Sequence, residues 1–336
     1  MAKVKLVDVA ELAGVSKSTA SQYINGRFDY MSKDTQERIR AAIKELDYVP
    51  NPIARNLKAE KTKTIGVIVR DITGFDTSHT IRGVDDFCKT CGYNALIYNT
   101  DFDAETEAKS LEALYQLRVD GIIIVSSGGN NKLISEYINK GMPIVHFQLE
   151  HDGNEKNLIL SDYRQAAFDA TEYLIKLGHK KICFVTQDFK NVKSRNERYL
   201  GYLSALKKHH ILLDENLIQY WHRETGFEHS PKSIIESSAA PTAFFTQHLA
   251  ITTELLTHLN QEKISIPDDV SFIGFDEIPM AEFFKVPITV VKQQSYVIGK
   301  EATKLLLENI NDKNKQPQKI MIPCSITERQ SCRKVF

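Results

Sequence analysis

Apolar positions in the first fifty residues recur at helical spacing. Val9, Leu12 and Ala13 share a face at i, i+3 and i+4, which predicts a first short helix. Gly14 supplies the backbone freedom of a sharp turn, and Ser16 is a good N-cap for a second helix. That helix has an apolar side of Ala20, Tyr23 and Ile24 and a polar side of Lys17, Ser18, Thr19, Ser21 and Gln22. The pattern is that of a helix-turn-helix whose second helix reads the major groove, the alternative being a small helical cap with a solvated polar side. Ser32 opens a third helix with an apolar stripe of Ile39, Ala42, Ile43 and Leu46. Tyr48-Val49-Pro50-Asn51-Pro52 ends it. Asn51 and Pro52 then form a new start signal for about one and a half turns reaching Leu57, and the charged stretch 58–63 reads as a linker.

From Thr64 the period changes. Apolar runs at 65–69, 95–98, 121–125 and 143–147 alternate with helical segments at 78–91, 104–117 and 131–140. The pattern restarts after Ser161. Helices are predicted at 163–177, 195–209, 230–238, 248–260 and 296–309. Strands are predicted at 182–185, near 217–221, and at 243–245, 270–275 and 289–291, with one closing strand at 319–328. Continuous apolar strands between helices predict an α/β body of parallel sheets covered on both faces. Its length suits two such sheets with a cleft between them.

Composition adds limits. The 336 residues carry no net charge, but residues 1–63 hold twelve Lys/Arg against eight Asp/Glu, a mildly basic head on a neutral body. No run approaches the roughly 18 apolar residues of a membrane span, and no signal-peptide core is present, so a cytoplasmic protein is expected. Five cysteines, an odd number in a large chain, suit a reducing compartment. Cys88-Lys89-Thr90-Cys91 lacks a second pair at zinc spacing, and neither a phosphate loop nor a nucleophile–base–acid set stands out. No metal, no cofactor and no enzymatic activity are expected.

The motifs Val7-Asp8-Val9-Ala10, Ala13-Gly14-Val15-Ser16 and Asn25-Gly26, then Tyr48-Val49-Pro50-Asn51 with Ala54-Arg55 and Leu57, are specific. So are Leu177-Gly178-His179, Ile273-Gly274-Phe275-Asp276 and Lys292-Gln293 before Gly299. Over essentially its whole length the chain resembles the lac repressor family of bacterial transcription regulators. The resemblance implies an N-terminal three-helix helix-turn-helix DNA-binding domain (1–50), then a hinge helix and linker (51–63). A two-lobed body like the periplasmic sugar-binding proteins follows, with one lobe of 64–161 and 292–320 and the other of 162–291 and 321–336. It further implies a repressor that grips a palindromic double-stranded DNA operator as a homodimer and answers to a small sugar or sugar-acid effector. No leucine-heptad tail follows residue 330, so a dimer is expected over a tetramer. Control by a corepressor or a protein partner, or a sugar-binding receptor without DNA function, are the alternative readings.

On the recognition helix the resemblance places base readout at Lys17 and Ser18, and at Gln22 where the family usually has Arg. Arg pairs with guanine and Gln with adenine, so the operator is expected to favour adenine opposite Gln22. Ser16, Ser21 and Asn25 are assigned to phosphates or the turn, Ser18 and Thr19 to base readout or to capping and phosphate contact, and Val7 to the DNA-binding set. Asn51, Ala54, Arg55 and Leu57 are assigned to the hinge helix, with Leu57 as a minor-groove wedge. For the effector, the resemblance points to Phe75, Thr77 and Ser78 after the first strand, to Gln148, to Arg198, to Thr246 and Gln247, and to Asp276 and Gln293. Gln148 and Gln247 are neutral where carboxylates are common, which with Arg198 shifts the expected ligand toward an anion. The stretch Ser21–Ser32 resembles the subgroup regulating pectin and hexuronate breakdown, whose effector is 2-keto-3-deoxygluconate.

Overall fold

The computed structural model describes residues 4–29, 31–49, 61–150, 156–189 and 192–335. The chain forms two compact units, Met1–Thr62 and Lys63–Phe336.

The first unit contains α1 (Leu6–Leu12), α2 (Lys17–Ile24) and α3 (Lys33–Glu45). Val9, Ala13, Ile39 and Ala42 form its buried centre, and Val15, Tyr23, Ile43 and Leu46 pack around them. Leu12, expected on that face, is 48% exposed. Positions 9 and 13 turn inward one helical turn apart, and Leu12 falls on the rim between them. Gly14 has φ +63°, and a Cβ there would sit 3.3 Å from the Arg38 guanidinium, which donates to the Ala13 carbonyl at 3.0 Å. Arg38 therefore ties α3 to the turn that sets the angle between α1 and α2.

The second unit holds two sheets. The first has strands β1 (Thr64–Val69), β2 (Asn94–Asn99), β3 (Gly121–Ile124), β4 (Ile144–Phe147), β5 (Leu158–Ser161) and β12 (Lys319–Ile322) in the order β12-β5-β4-β3-β1-β2, all parallel. Its helices are α4 (Phe75–Thr90), α5 (Ala104–Gln116), α6 (Asn131–Asn139) and α11 (Ser295–Asn311). The second sheet has β6 (Ile182–Thr186), β7 (Ile218–His222), β8 (Gly226–Phe227), β9 (Ala243–Thr246), β10 (Ser271–Phe275), β11 (Thr289–Lys292) and β13 (Ser325–Thr327). Their order is β13-β11-β10-β9-β6-β7-β8, antiparallel only at β11–β13 and β7–β8. With it go α7 (Tyr163–Lys176), α8 (Lys193–Lys208), α9 (Pro231–Ile235) and α10 (Leu249–Gln261). Among the described residues no helix is long and apolar enough to cross a membrane.

The expected single strand at 319–328 is two. β12 completes the first sheet and β13 the second, because Pro323 interrupts the ladder and the chain crosses between lobes there. The strand at 158–161 has a weak sequence signal, being four residues long and ending one residue before α7. The chain crosses at Ser161–Asp162, at Lys292–Ser295 and at Pro323–Cys324, and the crossings are tied together. Ser161 donates to Gln293 at 2.6 Å, the Asp162 amide to the Ile322 carbonyl at 2.8 Å, and Gln294 to Ser325 at 3.4 Å. Close helix packing braces the first lobe. A Cβ on Gly299 of α11 would lie 2.0 Å from the Thr80 carbonyl oxygen of α4, and one on Gly83 would lie 2.1 Å from that of Tyr296.

Candidate effector cleft and reading head

In the first unit, α2 is capped as its sequence dictates. Ser16 Oγ accepts the Thr19 amide at 3.1 Å and lies 2.7 Å from the Ser18 hydroxyl and 2.8 Å from that of Thr19. These three hydroxyls bond one another at the cap, and Ser18 and Thr19 keep further hydrogen-bonding capacity. Asn25 closes the other end, donating to the Ser21 carbonyl at 2.7 Å. Lys17 and Gln22 are exposed, as is Val7 on α1 at 39%. The surface of α2 thus offers one cation and one carboxamide with full hydrogen-bonding capacity. The hinge residues Asn51, Ala54, Arg55 and Leu57 lie outside the described residues.

In the second unit, ligand-competent residues gather where strands end, as expected of open α/β sheets. A cleft opens there as two chambers of about 710 Å³ and about 220 Å³ that share Arg70, Asp71, Leu149, Arg198 and Asp276. Arg70 follows β1, Gln148 follows β4, Arg223 follows β7 and Asp276 follows β10, while Arg195 and Arg198 lie on α8. The backbone is strained at several of these ends. Asp101, Phe102, Gln148 and Asp276 have φ of +50°, +65°, +62° and +78°. Such left-handed non-glycine residues persist only where surrounding structure holds them, typically at binding sites.

Arg198 is the centre of the cleft. Its guanidinium lies 3.9 Å from the Tyr163 ring centroid and 4.3 Å from that of Phe275, is almost fully buried, and donates to the Ser194 carbonyl at 3.3 Å. Its Nε and the Ser194 hydroxyl are buried and have no hydrogen-bond partner among the described residues. Opposite it, Asp276 accepts from Gln293 at 2.6 Å and from the Leu249 amide at 3.3 Å. Asp76, in the first turn of α4, accepts from Ser295. Burial, reinforced by the Asp276 charge, pushes the Asp76 carboxyl up to about 7. Burial likewise raises Asp276, against the pull of Arg198.

Of the residues expected to bind effector, Thr77, Gln148, Arg198, Asp276 and Gln293 line this cleft. The others do not. Phe75 stacks on His79 at 4.3 Å, one turn along α4, and Ser78 donates to the Phe75 carbonyl at 2.7 Å. Both belong to the first turn of α4, which begins three residues earlier than the predicted 78. Thr246 is fully buried with its hydroxyl on Thr252. Gln247, also fully buried, donates to the Arg195 carbonyl at 3.2 Å and so supports the cleft from behind.

Sequence reading missed Arg70, Arg195, Arg223 and the buried Trp221. Their signal was available in part. Arg70 directly follows an apolar strand, and Arg195 lies one turn before Arg198 on the same helix. His248 hydrogen-bonds Gln187 at 2.9 Å while its other nitrogen accepts the Ile251 amide at 3.4 Å, the pattern of a neutral imidazole. Burial, then the Arg198, Arg195 and Arg223 charges, push it down to about 3. No group of three or more metal-ligating side chains occurs among the described residues.

Comparison with known proteins bears on both units. Residues 5–51 match the model of bacterial regulatory proteins, lacI family, and residues 171–332 that of the periplasmic binding protein-like domain. A probable HTH-type transcriptional regulator, EndR, of Paenibacillus polymyxa is 34% identical over 93% of this chain and 92% of its own. An HTH-type transcriptional repressor, PurR, of Vibrio atlanticus is 34% identical over 98% of each chain. The crystal structure of the lac repressor dimer bound to operator and the anti-inducer ONPF superposes with a TM-score of 0.83 over 99% of this chain and 100% of that one, at 21% identity, a likeness of fold alone.

Proposed function

The chain belongs to the lacI family of bacterial regulatory proteins, and from that premise we propose that it is a dimeric repressor whose grip on a palindromic operator is set by an anionic sugar. It is a DNA-binding transcription regulator and not an enzyme. The effector part of the proposal rests above all on Arg198. A guanidinium packed against the Tyr163 and Phe275 rings and lining both chambers of the cleft is arranged to receive a carboxylate or vicinal hydroxyls. Asp276, Gln293 and Gln148 offer acceptors and donors for ring hydroxyls. A sugar acid meets both demands, and 2-keto-3-deoxygluconate is the first candidate.

Coupling to DNA follows from where Gln293 sits. It belongs to the second crossing between lobes and touches Ser161 of the first. A ligand that draws in Asp276 and Gln293 acts directly on the strands about which the lobes turn. Closing the cleft then shifts the population between forms with different operator affinity. In the head, Lys17, Ser18 and Gln22 read base edges. Val7, Ser16, Thr19, Ser21 and Asn25 set the turn and phosphate contacts. The segment of Asn51, Ala54, Arg55 and Leu57 enters the minor groove in the manner of hinge helices. The site of action is the cytoplasm.

Operator binding by the full chain, measured with neutral hexoses and with hexuronates, tests the reading. A change in operator affinity with a sugar acid, lost in Arg198→Gln, is expected. An equal response to a neutral hexose, or a full response in Arg198→Gln, refutes it.

A further inference from the structure

The larger chamber carries more positive charge than a single carboxylate needs. Besides Arg198 it is lined by Arg70, Arg195 and Arg223. Arg70 comes from the first lobe, and Arg195 and Arg223 come from the second. Arg70 and Arg223 share one aromatic platform. Their guanidinium carbons lie 4.5 Å and 4.9 Å from the centroid of Phe102, which is held in the left-handed region. Arg195 donates to the Asp188 carbonyl at 3.0 Å.

The acids on the same walls are committed elsewhere. Asp71 accepts from the Thr73 amide and hydroxyl at 2.9 and 2.6 Å, Glu254 accepts from the Trp221 indole at 2.7 Å, and Asp276 holds Gln293. Among the described residues no carboxylate oxygen lies within 4.0 Å of the Arg70, Arg195 or Arg223 guanidinium. Desolvation and the charges of Arg195 and Arg223 push Arg70 down to about 10, the sign of a cation short of counter-charge.

We propose that Arg70, Arg195 and Arg223 form a second anion subsite, which holds a phosphate or carboxylate carried by the effector in addition to the group that Arg198 receives. This deepens the reading of the cleft as an effector site and rests on it. The effector is then an elongated hydroxylated molecule, with its ring among Gln148, Asp276 and Gln293 and a charged terminus at the wider chamber. A single planar or tetrahedral anion can accept from several guanidinium forks at once, which makes arginine the suited residue. Because the three come from both lobes, one anion there would bridge the lobes and offset the repulsion among the three guanidinium groups. The chemistry is shared by a sugar phosphate and a sugar diacid.

Calorimetry and thermal denaturation of the full chain, wild type and variants, test the subsite. Inorganic phosphate is the probe for the trio alone. A hexose 6-phosphate, an aldarate and a hexuronate probe the extended ligand. Phosphate is expected to raise the denaturation midpoint of the wild type and of Arg198→Gln, but not of Arg223→Gln. The two-ended probe that fits, phosphate or diacid, should bind about 10- to 100-fold more tightly than the hexuronate, and Arg223→Gln or Arg70→Gln should erase that advantage. The better of the two probes tells which charged terminus the site takes. Absence of a phosphate response in the wild type, its persistence in Arg223→Gln, or hexuronate binding as tight as both two-ended probes overturns the second subsite. A hexuronate affinity unchanged in Arg198→Gln instead overturns the parent reading.

Discussion

Replacing Asp76 by Asn probes the charge balance of the cleft without any ligand. Asp76 is largely buried beside Asp276, and its carboxyl stands at about 7 against 3.8 for a free one, through burial first and the neighbouring carboxylate second. A carboxyl whose pKa is raised in the folded state costs stability when ionised. The cost is absent below the unfolded value, grows between about pH 4 and 7, and is complete above it. Carried by Asp76 alone, the shift is worth about 4 kcal/mol at pH 8, and about half of that if Asp276 shares the proton. The Asn side chain keeps an oxygen for the Ser295 hydroxyl and loses the charge. Asp76→Asn is therefore expected to be more stable than wild type by about 2 to 4 kcal/mol at pH 8, with the two proteins converging toward pH 4. Urea unfolding followed by circular dichroism at pH 4, 5.5, 7 and 8 measures the gap, and taking the difference cancels the titrating groups that do not interact with Asp76. A gap that is constant with pH, or that widens as the pH falls, refutes the assignment of a raised carboxyl to this site.

Three further outcomes are expected. Gln22→Arg should move the base preferred at one position of each half-site from adenine to guanine, read by selection from a randomised operator; guanine already preferred by the wild type would rule out Gln22 as the reader there. Gly299→Ala places a Cβ 2.0 Å from a backbone carbonyl and should cost about 3 kcal/mol by forcing α4 and α11 apart, despite the better helix propensity of Ala; denaturant unfolding within 0.5 kcal/mol of wild type (a roughly neutral surface substitution) would contradict that packing. Ser16→Ala should destabilise the head by about 1 kcal/mol while Ser16→Gly costs only a few tenths, and equal losses would show that the hydroxyl does not act as the cap.

Much of the architecture was legible because the signals are local. The order of strands and helices follows from apolar runs and helical spacing, and the caps at Ser16 and Ser32 from residue type and position. Errors fall where local pattern is weak. Leu12 is apolar and correctly spaced yet faces out, since the three-helix unit has room for only one narrow stripe from α1. The sequence places the start of α4 at 78 because Thr73 and Gly74 read as a loop, and so Phe75 falls in an expected binding loop where the structure has a helical turn.

What the sequence determined by itself is the division into a small helical head and a parallel α/β body and, through its family motifs, five of the residues lining the cleft, because Gln148, Asp276 and Gln293 at strand ends and Thr77 and Arg198 on α4 and α8 keep their place whenever those elements form. What only the tertiary structure decided is which distant charges meet. Arg70, Phe102, Arg195 and Arg223 are separated by 153 positions from first to last and lie on different strands, loops and helices. They converge because sheet order and the crossings between lobes bring those strand ends to one cleft. No periodicity along the chain carries that information. The concentration of guanidinium groups with no carboxylate partner among the described residues is therefore a property of the assembled lobes alone.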